Sequence, residues 1–176
     1  GSYLEYIPDQ IIPFRNSRFY QEVELRVHDN ATMIYSEMIV PGRVASGESF
    51  EYDICYIRTI ARNHLGKTRF IDTVKLEPKK ENLTVDGILG TFEVIGTIYI
   101  VTKEKYVNNL QDEINKKINE FEGNMSGGTS ILPARQGIIV RLLGATAGDV
   151  KNFIFEVIRI ARNQIIDASF SGIRKA

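Results

Sequence analysis

Two short stretches of the chain place charged residues where their neighbours are apolar. In PDQIIPFRNSRF, residues 8–19, Asp9 lies between apolar residues, and Arg15 and Arg18 follow just beyond. In SEMIVPGRVASGESF, residues 36–50, Glu37 interrupts an apolar run, Arg43 occupies a Pro-Gly turn, and Glu48 follows Ser46 and Gly47. A carboxylate among apolar side chains is costly unless it is paired or hydrogen-bonded. Glu37 and Glu48 near Arg43 therefore read either as a structural ion-pair network or as working groups. As working groups, two carboxylates among Asp9, Glu37 and Glu48 would supply the acid and base of a glycosidase, although no spacing singles out a pair.

Other chemistries find less support. His28 and His64 are far apart in sequence, each flanked by turn residues, and read as exposed loop residues rather than as metal ligands, which come clustered. Cys55 alternates with aromatic and aliphatic residues and reads as a small packing residue; no motif pairs it with a histidine as a nucleophile. GNMSGGTS, residues 123–130, is glycine-rich but lacks the lysine of a phosphate-binding loop and leads to Pro133 instead of a helix. It reads as a flexible loop. No catalytic residue, firm metal ligand or tightly bound cofactor is expected.

Composition narrows the partners. The 22 basic and 22 acidic residues cancel, whereas a nucleic-acid binder needs an excess of Lys and Arg to neutralise phosphates. No apolar run approaches the roughly 20 residues that span a bilayer, and a lone cysteine fits a reducing, cytoplasmic compartment. With 176 residues, 43% of them hydrophobic, the chain can bury the core of one domain.

The elements that must position these residues change period along the chain. Residues 19–27 alternate, with Val23, Leu25 and Val27 on one face and Glu22, Glu24 and Arg26 on the other, which predicts a half-buried strand. Further strands are expected at 32–40, 50–60, 69–76 and 137–143, and one or two at 88–101 with a bend at Gly90 or Gly96. In 106–121, Val107, Leu110, Ile114, Ile118 and Phe121 recur every three or four positions, which predicts an amphipathic helix. A second helix is expected over 147–166, with Thr146 and Asp149 as a capping box in which Asp replaces the usual Glu. The expected architecture is a mainly β body with both helices packed on a sheet.

LEYIPDQIIPFRNSRFYQ from Leu4, PGRVASGESFEY from Pro41, LEP from Leu76, GTFEVIGTIYIV from Gly90 and GIIVRLLG from Gly137 together resemble the urease accessory protein family UreD, called UreH in some species. The most specific part is Pro41, Gly42, Arg43, Ala45, Gly47, Glu48 and Phe50. The resemblance implies a β-helix-like stack of sheets carrying two α-helices, and a non-enzymatic scaffold that works with UreF and the GTPase UreG to deliver nickel to apo-urease. It also implies that residues 3–176 are the C-terminal part of such a protein, Gly1 and Ser2 being a tag remnant, and that the missing N-terminal part is a partner. Nickel in transit would use an internal polar passage, with Asp9, Glu37 and Glu48 as lining and Arg43 orienting a carboxylate. The alternative expectation is a β-helical carbohydrate-active enzyme using paired carboxylates in one exposed cleft.

Overall fold

A computed structural model describes residues 1–121 and 124–172. The elements in chain order are β1 (Tyr3–Tyr6), β2 (Arg18–Arg26), β3 (Thr32–Ile39), β4 (Ile54–Arg62), β5 (Thr68–Leu76), β6 (Val94–Val101), α1 (Glu104–Glu120), β7 (Met125–Ile131), β8 (Gly137–Gly144) and α2 (Ala147–Ile166). Two sheets form. One has five strands in the order β1-β3-β6-β8-β7, and the other three in the order β2-β4-β5. The β1/β3 and β2/β4 pairs are parallel, the others antiparallel.

Alternation along each strand sorts its side chains between layers. Ile34 and Met38 of β3 join Ile98, Ile100, Val140 and Leu142 under the helices, where they meet Leu110 and Ile114 of α1 and Phe153, Val157 and Ile158 of α2. The intervening residues face the three-stranded sheet. Tyr35, Tyr99 and Val101 pack there against Leu25, Ala61 and Phe70, and Ile39 packs against Tyr52, Cys55, Ile57 and Leu76. The result is three layers, sheet on sheet on helices.

α2 begins at Thr146, whose hydroxyl oxygen accepts the Asp149 N–H at 3.1 Å, the N-terminal half of the expected capping box. Asp149 does not complete the box in the usual way, because its carboxylate accepts the Thr146 hydroxyl at 2.7 Å. The far end of the chain is tied to the opening motif. Glu5 of β1 takes Arg162 of α2 on both oxygens at 2.7 Å and accepts the Tyr3 hydroxyl at 2.9 Å.

The mainly β body with two helices agrees with expectation, but both sheets are open and mixed in direction, and a β-helix-like stack is not evident in them. Three local expectations need correction. No strand precedes Val94 in 88–101, because Gly87 and Gly90 take φ of 90° and 58° and close turns in which the Gly90 N–H donates to Val85 O. The strand expected over 50–60 begins only at Ile54; Phe50 sits at φ 55°, which breaks the alternation before it. The glycine-rich loop is largely strand β7, although its residue 123 lies outside the described residues. A Cβ at Gly127 would stand 2.6 Å from Arg141 O, so glycine there permits close pairing with β8 rather than marking flexibility.

Candidate functional site

The two clusters between the sheets are separated by a row of polar side chains. In the five-stranded sheet Glu37 pairs with Thr97, and Thr97 with Arg141, in adjacent registers of β3, β6 and β8. In the facing sheet Thr59 of β4 pairs with Asp72 of β5. The rows meet. Thr59 Oγ1 donates to Glu37 Oε1 at 2.7 Å, and Tyr99 donates its hydroxyl to Asp72 Oδ2 at 2.6 Å. One Arg141 nitrogen donates to Asp72 Oδ1 at 2.6 Å and to Oδ2 at 2.7 Å.

The layer runs from dry to wet. Glu37 is 4% exposed, whereas the side chains of Asp72 and Arg141 at the other end are 17% and 48% exposed. Burial is the main cause that raises the Glu37 carboxyl above its ordinary range; hydrogen bonds from Thr59 and Tyr35 oppose it, the charge of Asp72 adds to it, and that of Arg141 subtracts. Burial, followed by the Glu37 charge, also keeps the Tyr99 hydroxyl protonated and therefore a donor. The Cys55 thiol is pushed up to about 12 by burial and then by Glu37, which removes it as a thiolate nucleophile at neutral pH.

Beside Glu37, a cavity of ≈ 100 Å³ opens between the sheets and is lined by Asp9, Gln21, Tyr35 and Glu37 among others. A second cavity, of ≈ 350 Å³, lies on the helix side, where Asp9 reappears with Ser36, Lys151 and Phe155. The loop after β1 skirts the sheet edge here and is anchored by the Ile11 N–H to Met38 O at 2.7 Å, so Asp9 borders both spaces.

Of the four residues singled out in the sequence, Asp9 and Glu37 are brought together and Arg43 and Glu48 are not with them. Arg43 does hold a carboxylate. Its Nε and one terminal nitrogen donate to the two oxygens of Glu48 at 2.9 and 2.5 Å, and the Arg15 backbone N–H adds 3.1 Å. The guanidinium also lies 4.4 Å over the Phe14 ring. Gly42, whose Cβ would meet Glu48 O at 2.9 Å, and Gly47 at φ 75° complete the turn. The motif thus closes a loop against residues 13–15. A network joining Glu37 to Arg43, expected from sequence, does not appear among their hydrogen bonds and ion pairs, because alternation sends Glu37 between the sheets while β3 ends before Arg43.

The histidines are not isolated, since their rings stack at 4.3 Å. His28 Nδ1 accepts the Asn30 N–H, and among the described residues no group of three or more His, Cys, Asp or Glu is arranged to hold a metal ion. Among the same residues no helix is long and apolar enough to cross a membrane.

The described residues thus define a layered, mainly β protein whose inter-sheet seam is lined by hydrogen-bonded oxygens. The chain belongs to the UreD urease accessory protein family, whose model matches residues 1–174. It is 39% identical over 175 residues to the urease accessory protein UreD of Cenarchaeum symbiosum, covering 99% of this chain and 61% of that protein. It is 33% identical over 168 residues to UreD of Yersinia pseudotuberculosis, with 94% and 52% covered. With UreD 2 of Brucella canis it shares 34% identity over 171 residues, 96% and 56% covered. The chain thus spans between half and two thirds of the length of these relatives. They are named as accessory proteins, not enzymes, and nothing in them favours the carbohydrate-active alternative.

Proposed function

We propose that this chain serves urease maturation in the cytoplasm as part of a UreD protein, in complex with UreF and UreG, and that nickel on its way to apo-urease moves along the polar layer. The observation that carries the reading is the layer itself. It offers oxygen donors from Glu37 and Thr59 to Tyr99 and Asp72, with a cavity beside Glu37 that the exposed Asp9 borders. A conduit works best when it holds its cargo weakly. Oxygen ligands and water release a divalent ion more readily than a His or Cys cluster, which would trap it. On this reading Asp9 and Glu37 line the route, while Arg43 and Glu48 maintain the loop beside it.

The test is activation of apo-urease by the complete protein with UreF, UreG, GTP and nickel, comparing wild type with Glu37→Gln. The expected result is several-fold weaker activation by a variant that still binds UreF. Equal activation at limiting nickel would sink the route. Absence of both complex formation and activation in the wild type would sink the maturation role.

A further inference from the structure

We infer that Arg141 is the resident counter-cation of the polar layer, a latch that closes its water-facing end and that a travelling cation must displace. The inference rests on the proposed nickel route and names what regulates entry to it. Arg141 comes from β8 and Asp72 from β5, so the pair bridges the two sheets where the layer reaches solvent. A single guanidinium nitrogen serves both oxygens of Asp72, rather than two nitrogens in parallel, so the pair lacks the geometry of the strongest Arg–carboxylate contacts.

With a side chain 48% exposed, Arg141 has water to move into; Asp72, at 17%, stays in place and keeps the Tyr99 hydroxyl. Once Arg141 has swung out, Asp72 presents a carboxylate at the mouth of a seam that continues past the Tyr99 hydroxyl toward the Glu37 carboxyl. A guanidinium stays charged at any physiological pH, so the latch cannot be opened by deprotonation. It yields to a competing cation, and the apparent affinity of that cation is reduced by the fraction of time the latch is shut.

The experiment measures the nickel concentration that half-activates apo-urease in the complete complex, with Arg141→Gln, Arg141→Lys, Glu37→Gln and Arg135→Gln beside the wild type. Arg135 lies in the turn before β8 and pairs with Glu104, so its variant removes an equal charge away from the layer. Opening a partly exposed pair predicts a fall of roughly threefold in the half-activating concentration for Arg141→Gln. Arg141→Lys, which keeps a cation there, and Arg135→Gln are expected to match wild type. Arg141→Met is the second variant. It keeps an unbranched apolar stem at this half-exposed position and removes the cation that Asp72 holds, and it is expected to lower the concentration in the same way should Arg141→Gln fail to fold. An unchanged concentration in Arg141→Gln with impaired Glu37→Gln overturns the latch and leaves the route standing. A fall shared equally by Arg135→Gln also overturns it, because bulk charge would then explain the effect. Unimpaired Glu37→Gln removes the route and the latch together.

Discussion

Replacing Glu37 by glutamine should stabilise the protein at alkaline pH and do nothing near the ordinary carboxyl value of 4.5. The substitution keeps size and an oxygen for the Thr59 hydroxyl, 2.7 Å away, and removes the charge. Two effects oppose each other. Hydrogen bonds from Thr59 and Tyr35 are worth about 1.5–3 kcal/mol each to a charged acceptor against about 0.5–1.5 to a neutral one, so glutamine gives up roughly 1–3 kcal/mol in all. A buried ion costs several kcal/mol even after relaxation. The raised carboxyl shows which wins, since burial and the Asp72 charge outweigh the hydrogen bonds and the neutral form is preferred. A net gain of about 1–2 kcal/mol follows, or roughly 2–8 °C in midpoint for a chain of this size. The folded value lies above the unfolded one, so the contribution of a protonated Glu37 is complete below the unfolded value and is lost as pH rises through the folded one. Thermal unfolding at about pH 5 and about pH 9 should therefore show a small gap that widens with pH. Glu37→Leu, which strands the Thr59 and Tyr35 hydroxyls, should be less stable than wild type at both. A glutamine variant less stable at the higher pH, or a gap independent of pH, would refute the ranking of the two effects.

Two further expectations concern the scaffold. The Arg43 guanidinium, as first cause, holds the Glu48 carboxyl below its ordinary 4.5, so the stability it contributes is present above the unfolded value and disappears as pH falls through the lower folded value. Glu48→Gln should thus unfold at lower urea than wild type at neutral pH, with the difference closing on acidification; a difference that persists at the acid end would contradict the pairing. A Cβ at Gly96 would stand 2.6 Å from Val150 Cγ1, so Gly96→Ala should cost about 1–3 kcal/mol by forcing α2 off β6. Val150→Ala in the same chain should recover part of that loss in chemical unfolding, and strictly additive effects would show that the two do not touch.

Much of the frame is legible in the residues. The period of two at 19–27 and the helical stripes of α1 and α2 reflect faces buried on one side only, the situation in which period is informative. β7 is not legible, because MSGGTSI carries Gly127 for close approach to β8 and so resembles a loop. Glu37 is visible as a lone acid in an apolar run, and a similar signal marks Thr97 in IGTIY and Arg141 in IVRLL, whereas Arg58 beside Thr59 in IRTIA and Thr73 beside Asp72 in FIDTV dilute it. What the residues do not carry is which strands stand side by side and which sheets face each other, so the layer emerges only with the registers. Arg43 and Glu48, five positions apart, are joined by a local turn and needed no such information.

A buried polar layer demands an explanation, since well-packed apolar residues of similar volume commonly serve stability as well or better. One explanation is register. A slip of one residue in β3 would turn Glu37 under the helices, among Ile98, Leu142 and Val157, and the cost of an unpaired buried charge there would reject the slip. Register alone, however, would favour a layer sealed and satisfied at both ends. This one adjoins a cavity beside its most buried carboxylate and ends in a guanidinium that water can reach. Its charges are also arranged unequally, with the carboxylate deepest in the protein lying farthest from the compensating cation. A purely structural pair would place the two together, as Arg43 and Glu48 are placed. Separation leaves Glu37 held by hydroxyls rather than by a guanidinium, and a counter-charge for it is what the proposed nickel route would bring.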